Sequence, residues 1–342
     1  MQKLLFLSTL CLLVLAGNVT AQEVEQGIDK IFKNYIDSGF SGAAIIIKDD
    51  KVILQKAYGY ANNEKKEPIT TKTLFNVASI GKQFTAVIVL TLEEKGLLNT
   101  RDYIHKYVGK LGGLKDSATV EHLLMHTSGL FVDGTQLNYD SREKFLASVR
   151  NTPLESKPGE KHRYSNAGYT LLAAIVEIVT KKPFEDVLHE MIFKPAGMKY
   201  TGYPWEKRIQ KDLMATGYNS KDEAQPAETN LWGNRGPGNL VTNTDDMHKW
   251  YSAWSGSSLI TEKIKERMFT DRIPGKETFS WNKITGPSGK KLYSKGGGRP
   301  DFESQIMWWP EEKVFLFFSI NKDKNLRRLI FRNINSLMNN AR

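Results

Sequence analysis

Thr73-Leu74-Phe75-Asn76-Val77-Ala78-Ser79-Ile80-Gly81-Lys82-Gln83-Phe84 leads into Thr85-Ala86-Val87-Ile88-Val89-Leu90-Thr91-Leu92-Glu93-Glu94. The reading predicts a short apolar approach, then a helix from near Ser79 to Glu94, stopped at Lys95-Gly96. Its centre, Phe84 to Leu92, is almost wholly apolar, so the helix is buried. Ser79 and Lys82 form an S-x-x-K pair at its mouth. Residues three apart on a helix share a face, with Cβ atoms about 5–6 Å apart. A serine is a weak nucleophile until a base adjoins it, and a helix N-terminus favours a developing alkoxide. S-x-x-K also occurs at Ser141, Ser280, Ser288 and Ser319. Context separates Ser79 from these, because the mouth of a buried helix is a costly place for an unpaired lysine.

Outward from this helix the pattern changes. Ala43 to Ile47 and Val52 to Leu54 read as strands around an Asp49-Asp50 turn, within Ser41 to Tyr58. The middle of the chain is mainly helical, with a second buried helix from near Asn166 carrying Leu171, Leu172, Ile175, Val176 and Ile178. The end returns to strands: Trp281 to Ile284, Lys291 to Ser294, Phe302 to Trp309 and Val314 to Ile320. A final helix over Asn325 to Asn339 stripes Leu326, Leu329, Ile330, Ile334 and Leu337. The fold class is therefore α/β (α+β): one antiparallel sheet built from both ends, flanked by terminal helices, beside an all-helical lobe. The sheet lobe takes about 22–75 and 276–342, and the helical lobe about 76–275.

The first 21 residues read as a secretory signal. Lys3 is a short positive region, Leu4 to Ala16 an apolar run, and Val19-Thr20-Ala21 a small-residue cleavage site. The run is too short to cross a bilayer, which needs about 20 residues. Cys11 is the single cysteine and leaves with the signal. A mature chain over 22–342 then has no disulfide, thiol nucleophile or thiolate ligand. The expected location is the periplasm or the medium. Of 342 residues, 40% are hydrophobic and 25% charged, which excludes a disordered chain. The net charge is +10, but the basic residues are dispersed, against a nucleic-acid partner. His122 and His126 have i, i+4 spacing, yet there is no glutamate after the first and no evident third ligand, so no metal and no cofactor is expected.

Two further motifs join the first. Tyr164-Ser165-Asn166 precedes the second helix, where Ser165 or Asn166 also suits an N-cap. Tyr60-Ala61-Asn62 repeats the form. Lys295-Gly296-Gly297-Gly298 follows the strand Lys291 to Ser294, and glycines there allow a backbone to approach a ligand closely.

In the order S-x-x-K, Y-x-N, K-x-G, the chain resembles the serine β-lactamase and penicillin-binding protein superfamily, in its class C-like branch. That branch also holds D-alanyl-D-alanine carboxypeptidases, D-aminopeptidases and esterases. The likeness runs through His122-Leu123-Leu124-Met125-His126-Thr127-Ser128-Gly129-Leu130, Ala167-Gly168-Tyr169-Thr170-Leu171-Leu172, Ile192 to Met198 and Gly238 to Asp246. It implies Ser79 as nucleophile, with Lys82 and Tyr164 sharing the base work. Lys82 and Lys295 beside Tyr164 would favour its phenolate. Which of Lys82 and Tyr164 takes the proton stays open.

Asn166 would hold Lys82 and bond a substrate amide. Lys295 and Gly297 would bind substrate, Lys295 through a carboxylate. The N–H groups of Ser79 and Gly298 would form the oxyanion hole. Penicillin-binding relatives usually carry Thr or Ser where this chain has Gly296, so one carboxylate contact is missing. The implied partner is a small-molecule or peptide substrate such as a peptidoglycan stem peptide or a β-lactam. An esterase and a non-catalytic cell-wall sensor are the rival readings. The loop Asn230-Leu231-Trp232-Gly233-Asn234-Arg235 is expected to border the pocket.

Overall fold

The computed structural model describes residues 20–130, 138–227, 229–256, 259–270, 272–273, 277–287, 289–322 and 325–340. Cys11, the apolar run Leu4 to Ala16 and Ser288 lie outside these. Helix α1 (Ala21–Asn34) opens on a capping box: Thr20 Oγ1 accepts from the Glu23 N–H, and Glu23 accepts from the Thr20 N–H. A chain beginning at Gln22 would lack that cap.

Strands β1 (Gly42–Lys48) and β2 (Lys51–Tyr58) follow, then α2 (Lys82–Glu94), α3 (Asn166–Thr180) and α4 (Thr244–Ser255). Strands β3 (Asn282–Thr285), β4 (Lys291–Gly298), β5 (Glu303–Trp309) and β6 (Val314–Ile320) precede the last helix α5 (Leu326–Asn340). The six strands form one antiparallel sheet in the order β2-β1-β6-β5-β4-β3. Chain ends thus meet at its centre, where β1 pairs β6 from Gly42↔Ile320 to Lys48↔Val314.

Alternation along the strands divides the core. Ile45, Ile47, Ile306, Phe315 and Phe317 face the helical lobe, with α2 and α3. Ala44, Ile46, Met307, Leu316 and Phe318 face α1 and α5. Both faces are covered, so these central strands read as continuous apolar runs. On α5 the buried stripe is Leu326, Ile330, Ile334 and Met338, a strict i+4 row. Leu329, expected on it, is exposed, being a quarter-turn off that row.

Two expectations shift at the site. Ser79 lies in a 3-10 turn, Ala78–Gly81, and the α-helix proper starts at Lys82. The strand expected to end at Ser294 continues through Gly298, still paired to β5 at Gly298↔Glu303. The three glycines are part of the ladder, not a loop after it.

Phe84 fixes α2 in the core. It is fully buried, 4.5 Å centroid to centroid from Trp250 and 5.4 Å from Phe193. Phe84→Ala is expected to lower the unfolding free energy by about 3–5 kcal/mol in denaturant titration.

Candidate active site

The turn that carries Ser79 is shaped by its neighbours. Ala78 has φ +44, in the left-handed region that costs a non-glycine residue about 1–2 kcal/mol. Its N–H donates to Asn76 Oδ1 at 2.9 Å, which fixes that geometry. Phe75–Asn76 pairs with Val241–Thr242, so the approach is a two-residue strand. Ser79 is presented at the turn and Lys82 Nζ stands 3.2 Å from its Oγ.

Lys82 is fully buried. Its Nζ donates to Asn166 Oδ1 at 2.7 Å and to the Pro237 carbonyl at 2.6 Å. Asn166 is set there because Ser165 caps α3, accepting from the Gly168 N–H at 2.9 Å. Tyr164, just before the cap, donates its hydroxyl to Ser79 Oγ at 2.7 Å. Its ring is partly exposed and lies over Lys82 Nζ at 4.8 Å and Lys295 Nζ at 5.4 Å. The S-x-x-K and Y-x-N residues therefore meet around one hydroxyl, with Lys295 beside them. The alternative Tyr60-Ala61-Asn62 instead forms a small ladder with Glu67–Pro68.

Glu277 stands at this site with no trace in the motifs. Its buried carboxylate pairs with the buried Lys295 ammonium. Burial pushes the Glu277 carboxyl up, but Lys295 and the His126 ring edge outweigh it and hold it well below the usual carboxylate range. Burial, and then the charge of Lys295, bring the Lys82 ammonium well below its ordinary value. Tyr164 moves the other way: burial and the Glu277 charge push its phenol up, against the bond to Ser79.

Burial and the Glu277 charge thus run against the expected phenolate. Two cations near Tyr164 would favour it, but Glu277 pairs with Lys295, and burial lowers the Lys82 pKa. Lys295 likewise is no unpaired cation awaiting a carboxylate. Glu277 gave no signal because it belongs to no motif and precedes Lys295 by a loop and a hairpin.

His126 and His122 do not form a ligand pair. Their helix stops at Leu124, and His126 turns off it with φ +57. His126 Nδ1 accepts from the Ser165 N–H at 2.9 Å, leaving Nε2 protonated and 3.8 Å from Glu277. Burial holds this imidazole down to about 4, so it is neutral at pH 7. His122 Nδ1 instead accepts from the Thr119 N–H.

The glycines of β4 divide by face. A Cβ on Gly297 would sit 2.1 Å from the Val77 carbonyl oxygen and 3.3 Å from the Ser79 nitrogen. Gly297 is thus packed against the turn that carries Ser79. Gly298 faces open space, with nothing within 4 Å of a Cβ there. Gly296 points to the other face, where a Cβ would strike the Arg327 guanidinium at 2.2 Å.

Trp232 does not face this site either: it packs on Phe145 and donates Nε1 to the Glu177 carboxylate at 3.3 Å. The part of that loop that reaches Ser79 lies further on. Pro237 holds Lys82, and Gly238 abuts Ala78 so closely that a Cβ would lie 2.2 Å from its carbonyl oxygen. A backbone carbonyl carries no residue-type signal. Gly236-Pro237-Gly238 is the trace that the sequence offered.

A profile described as Beta-lactamase matches residues 28–337. The chain is similar to Penicillin-binding protein 4* of Bacillus subtilis (strain 168), 29% identical over 314 residues, covering 84% of this chain and 69% of that protein. Among solved structures it is similar to an octameric penicillin-binding protein homologue from Pyrococcus abyssi, with TM-score 0.80 and 26% identity, covering 92% of this chain and 76% of that one. A class C beta-lactamase shares the fold, with TM-score 0.81 over 94% of this chain and 98% of its own, at 20% identity.

With its phenol pushed up, Tyr164 is expected to contribute no tyrosinate absorbance at 295 nm up to about pH 9. The difference between the titrations of the native chain and Tyr164→Phe should be flat over that range. A tyrosinate signal belonging to Tyr164 near neutrality would contradict the charge assignment.

Proposed function

The chain belongs to the Beta-lactamase family, whose members are serine hydrolases of the β-lactamase and penicillin-binding type, and from that premise we propose that it hydrolyses an amide or ester through an acyl-enzyme on Ser79, with Lys82 as the base.

The observation that carries this reading is how the Lys82 amine is occupied. Two of its directions are taken by acceptors, Asn166 Oδ1 and the Pro237 carbonyl. A neutral amine has two N–H groups and one lone pair, so the lone pair is left for Ser79. Ser79 Oγ in turn receives the Tyr164 hydroxyl, so its own proton is free to point at Lys82. In acylation the Ser79 proton passes to Lys82 Nζ as Oγ bonds to the substrate carbonyl carbon. The carbonyl oxygen takes the negative charge, facing the N–H groups of Ser79 and Gly298. Such donors are worth roughly 3–4 kcal/mol each in acyl transfer.

The tetrahedral adduct then collapses and expels the leaving atom, which takes the Tyr164 hydroxyl proton. Lys82 returns its proton to the phenolate, and the site is reset. Water repeats the sequence on the acyl-enzyme, regenerating Ser79 and releasing the acid. The neutral phenol and neutral amine suit this order: a base ready to accept and an acid ready to give.

For the substrate we favour a D-amino-acid peptide of the peptidoglycan type or a β-lactam-like molecule, by likeness to Penicillin-binding protein 4*. A carboxylesterase is the second reading. It is favoured by the Lys295–Glu277 pair, which leaves no net charge for a substrate carboxylate. The leader Leu4 to Ala16 with Val19-Thr20-Ala21 supports export, to the periplasm or the medium.

Incubation with a fluorescent penicillin and, separately, with a fluorophosphonate, followed by peptide mass spectrometry, is expected to place an adduct on the Ser79 peptide. A penicillin adduct marks a β-lactam-recognising site; a fluorophosphonate adduct alone moves the substrate to esters or other amides. Ser79→Ala is expected to abolish both adducts and hydrolysis, and Lys82→Ala to slow hydrolysis by about 10²–10⁴-fold. No adduct from either probe would remove the acyl-enzyme reading.

The acid limb of kcat/KM should report Lys82. Glu277 raises the Lys82 pKa, opposing its burial and Lys295. Glu277→Gln therefore should move that limb to lower pH. Because it strands a buried ammonium, it should also cost about 3–5 kcal/mol of stability. An unshifted limb in a folded Glu277→Gln protein would show that Lys82 is not the titrating base.

A further inference from the structure

Behind the active-site strand lies a second cavity of about 400 Å³, between the β3–β4 hairpin and the first half of α5. Its floor is strand β4 at Ser294 and Gly296, seen from the face opposite Lys295 and Gly297. Its walls carry four cationic side chains, Lys283, Arg327, Arg328 and Arg332, with Ile284 and Phe331 between them. No carboxylate is among the described residues that line it.

The cations are unevenly served. Arg327 Nη1 donates to Gln305 Oε1 at 3.0 Å, and its Nε stands 4.0 Å from Glu303. The Glu303 carboxylate also takes the Arg327 backbone N–H at 3.2 Å. Arg328 and Arg332 are exposed and make no ion pair among the described residues. They are four apart on α5, so they share a face and repel each other. Burial lowers the pKa of Arg327 against the Glu303 charge, and the charge of Arg328 adds to the lowering. Both arginines line the same cavity as the Arg327 guanidinium, which fills the space that a side chain at position 296 would need. Two exposed guanidiniums of like charge on one helix face, beside a third that Glu303 serves only in part, repel each other, and a multiply charged anion would relieve that repulsion.

We propose that this cavity is an anion-binding site, taking a multiply charged group of the phosphate or carboxylate kind between Arg327, Arg328 and Arg332. The occupant rests on the α5 face of β4 at Gly296, one residue from Lys295 on one side and from Gly297 on the other. Since Ser79 and Lys82 are on the opposite face, it does not compete with a small neutral ester for the nucleophile. The site therefore stands or falls independently of the hydrolase reading.

Calorimetric titration of the whole chain with inorganic pyrophosphate and, separately, with citrate tests this, with ionic strength held constant by sodium chloride. The expected result is saturable 1:1 binding of at least one. Pyrophosphate alone assigns a phosphoryl group, citrate alone a polycarboxylate, and both the shared charge. Arg328→Ala/Arg332→Ala should keep the melting temperature and Ser79 labelling of the native chain. It should bind the anion about 100-fold more weakly, roughly tenfold for each arginine–anion hydrogen bond removed. Absence of saturable binding by either anion overturns the proposal. So does binding by the double variant within about threefold of the native affinity, which would put the anion elsewhere.

Discussion

Three ionisable groups are buried together around Ser79, and they cannot all carry charge without a balance. Lys82, Lys295 and Glu277 supply two potential cations and one anion in a space with little water. An unpaired buried ammonium is far more costly than a paired one, so the carboxylate is shared unequally. Lys295 holds Glu277 in direct contact, and Lys82 is left with neutral acceptors. The consequence is a Lys82 ammonium held well below its ordinary pKa next to a serine, and a Tyr164 phenol pushed up on its other side. Both shifts run in the direction that the proposed acyl transfer asks for, and both come from burial and the charges packed around it.

That balance depends on backbone contacts as much as on charges. Strand β4 reaches the nucleophile turn only because Gly297 offers no Cβ to the Val77 carbonyl. The turn holds Ser79 outward because Ala78 accepts a left-handed conformation against Asn76. The loop at Pro237 and Gly238 closes the other side and supplies the carbonyl that binds Lys82. Each of these contacts links the sheet lobe or a loop to the first turn of α2. The site is therefore an interface between lobes, where small residues allow main chains to meet. Rigid placement of this kind is what the proposed attack by Ser79 requires.

His126 shows how one residue can join these two systems. Its Nδ1 fixes the backbone before Asn166, its Nε2 faces Glu277, and its ring lies 4.5 Å from that of Tyr164. It touches no proposed reacting atom, yet it ties the Y-x-N segment to the carboxylate that pairs with Lys295. Its burial and low basicity keep it neutral, so it adds structure without adding charge.

The sequence by itself determined the elements and most of the site. Apolar runs at both ends and a helical middle made the sheet and its helices legible, because strand and helix periods are local properties of the chain. Ser79, Lys82, Tyr164, Asn166 and Lys295 could be singled out because three short motifs, each weak alone, stand in an order that resembles a known family. The tertiary structure alone decided the burial of the Tyr164 hydroxyl beside Ser79, the pairing of Lys295, the placing of Gly297 against Val77 and the direction of Gly296. Glu277 is 18 positions from Lys295 and Pro237 is 155 from Lys82, and nothing in either residue type announces the contact. Protonation depends on burial and on charges brought close by folding, both of which are sums over the whole chain and have no signature in any one segment of it.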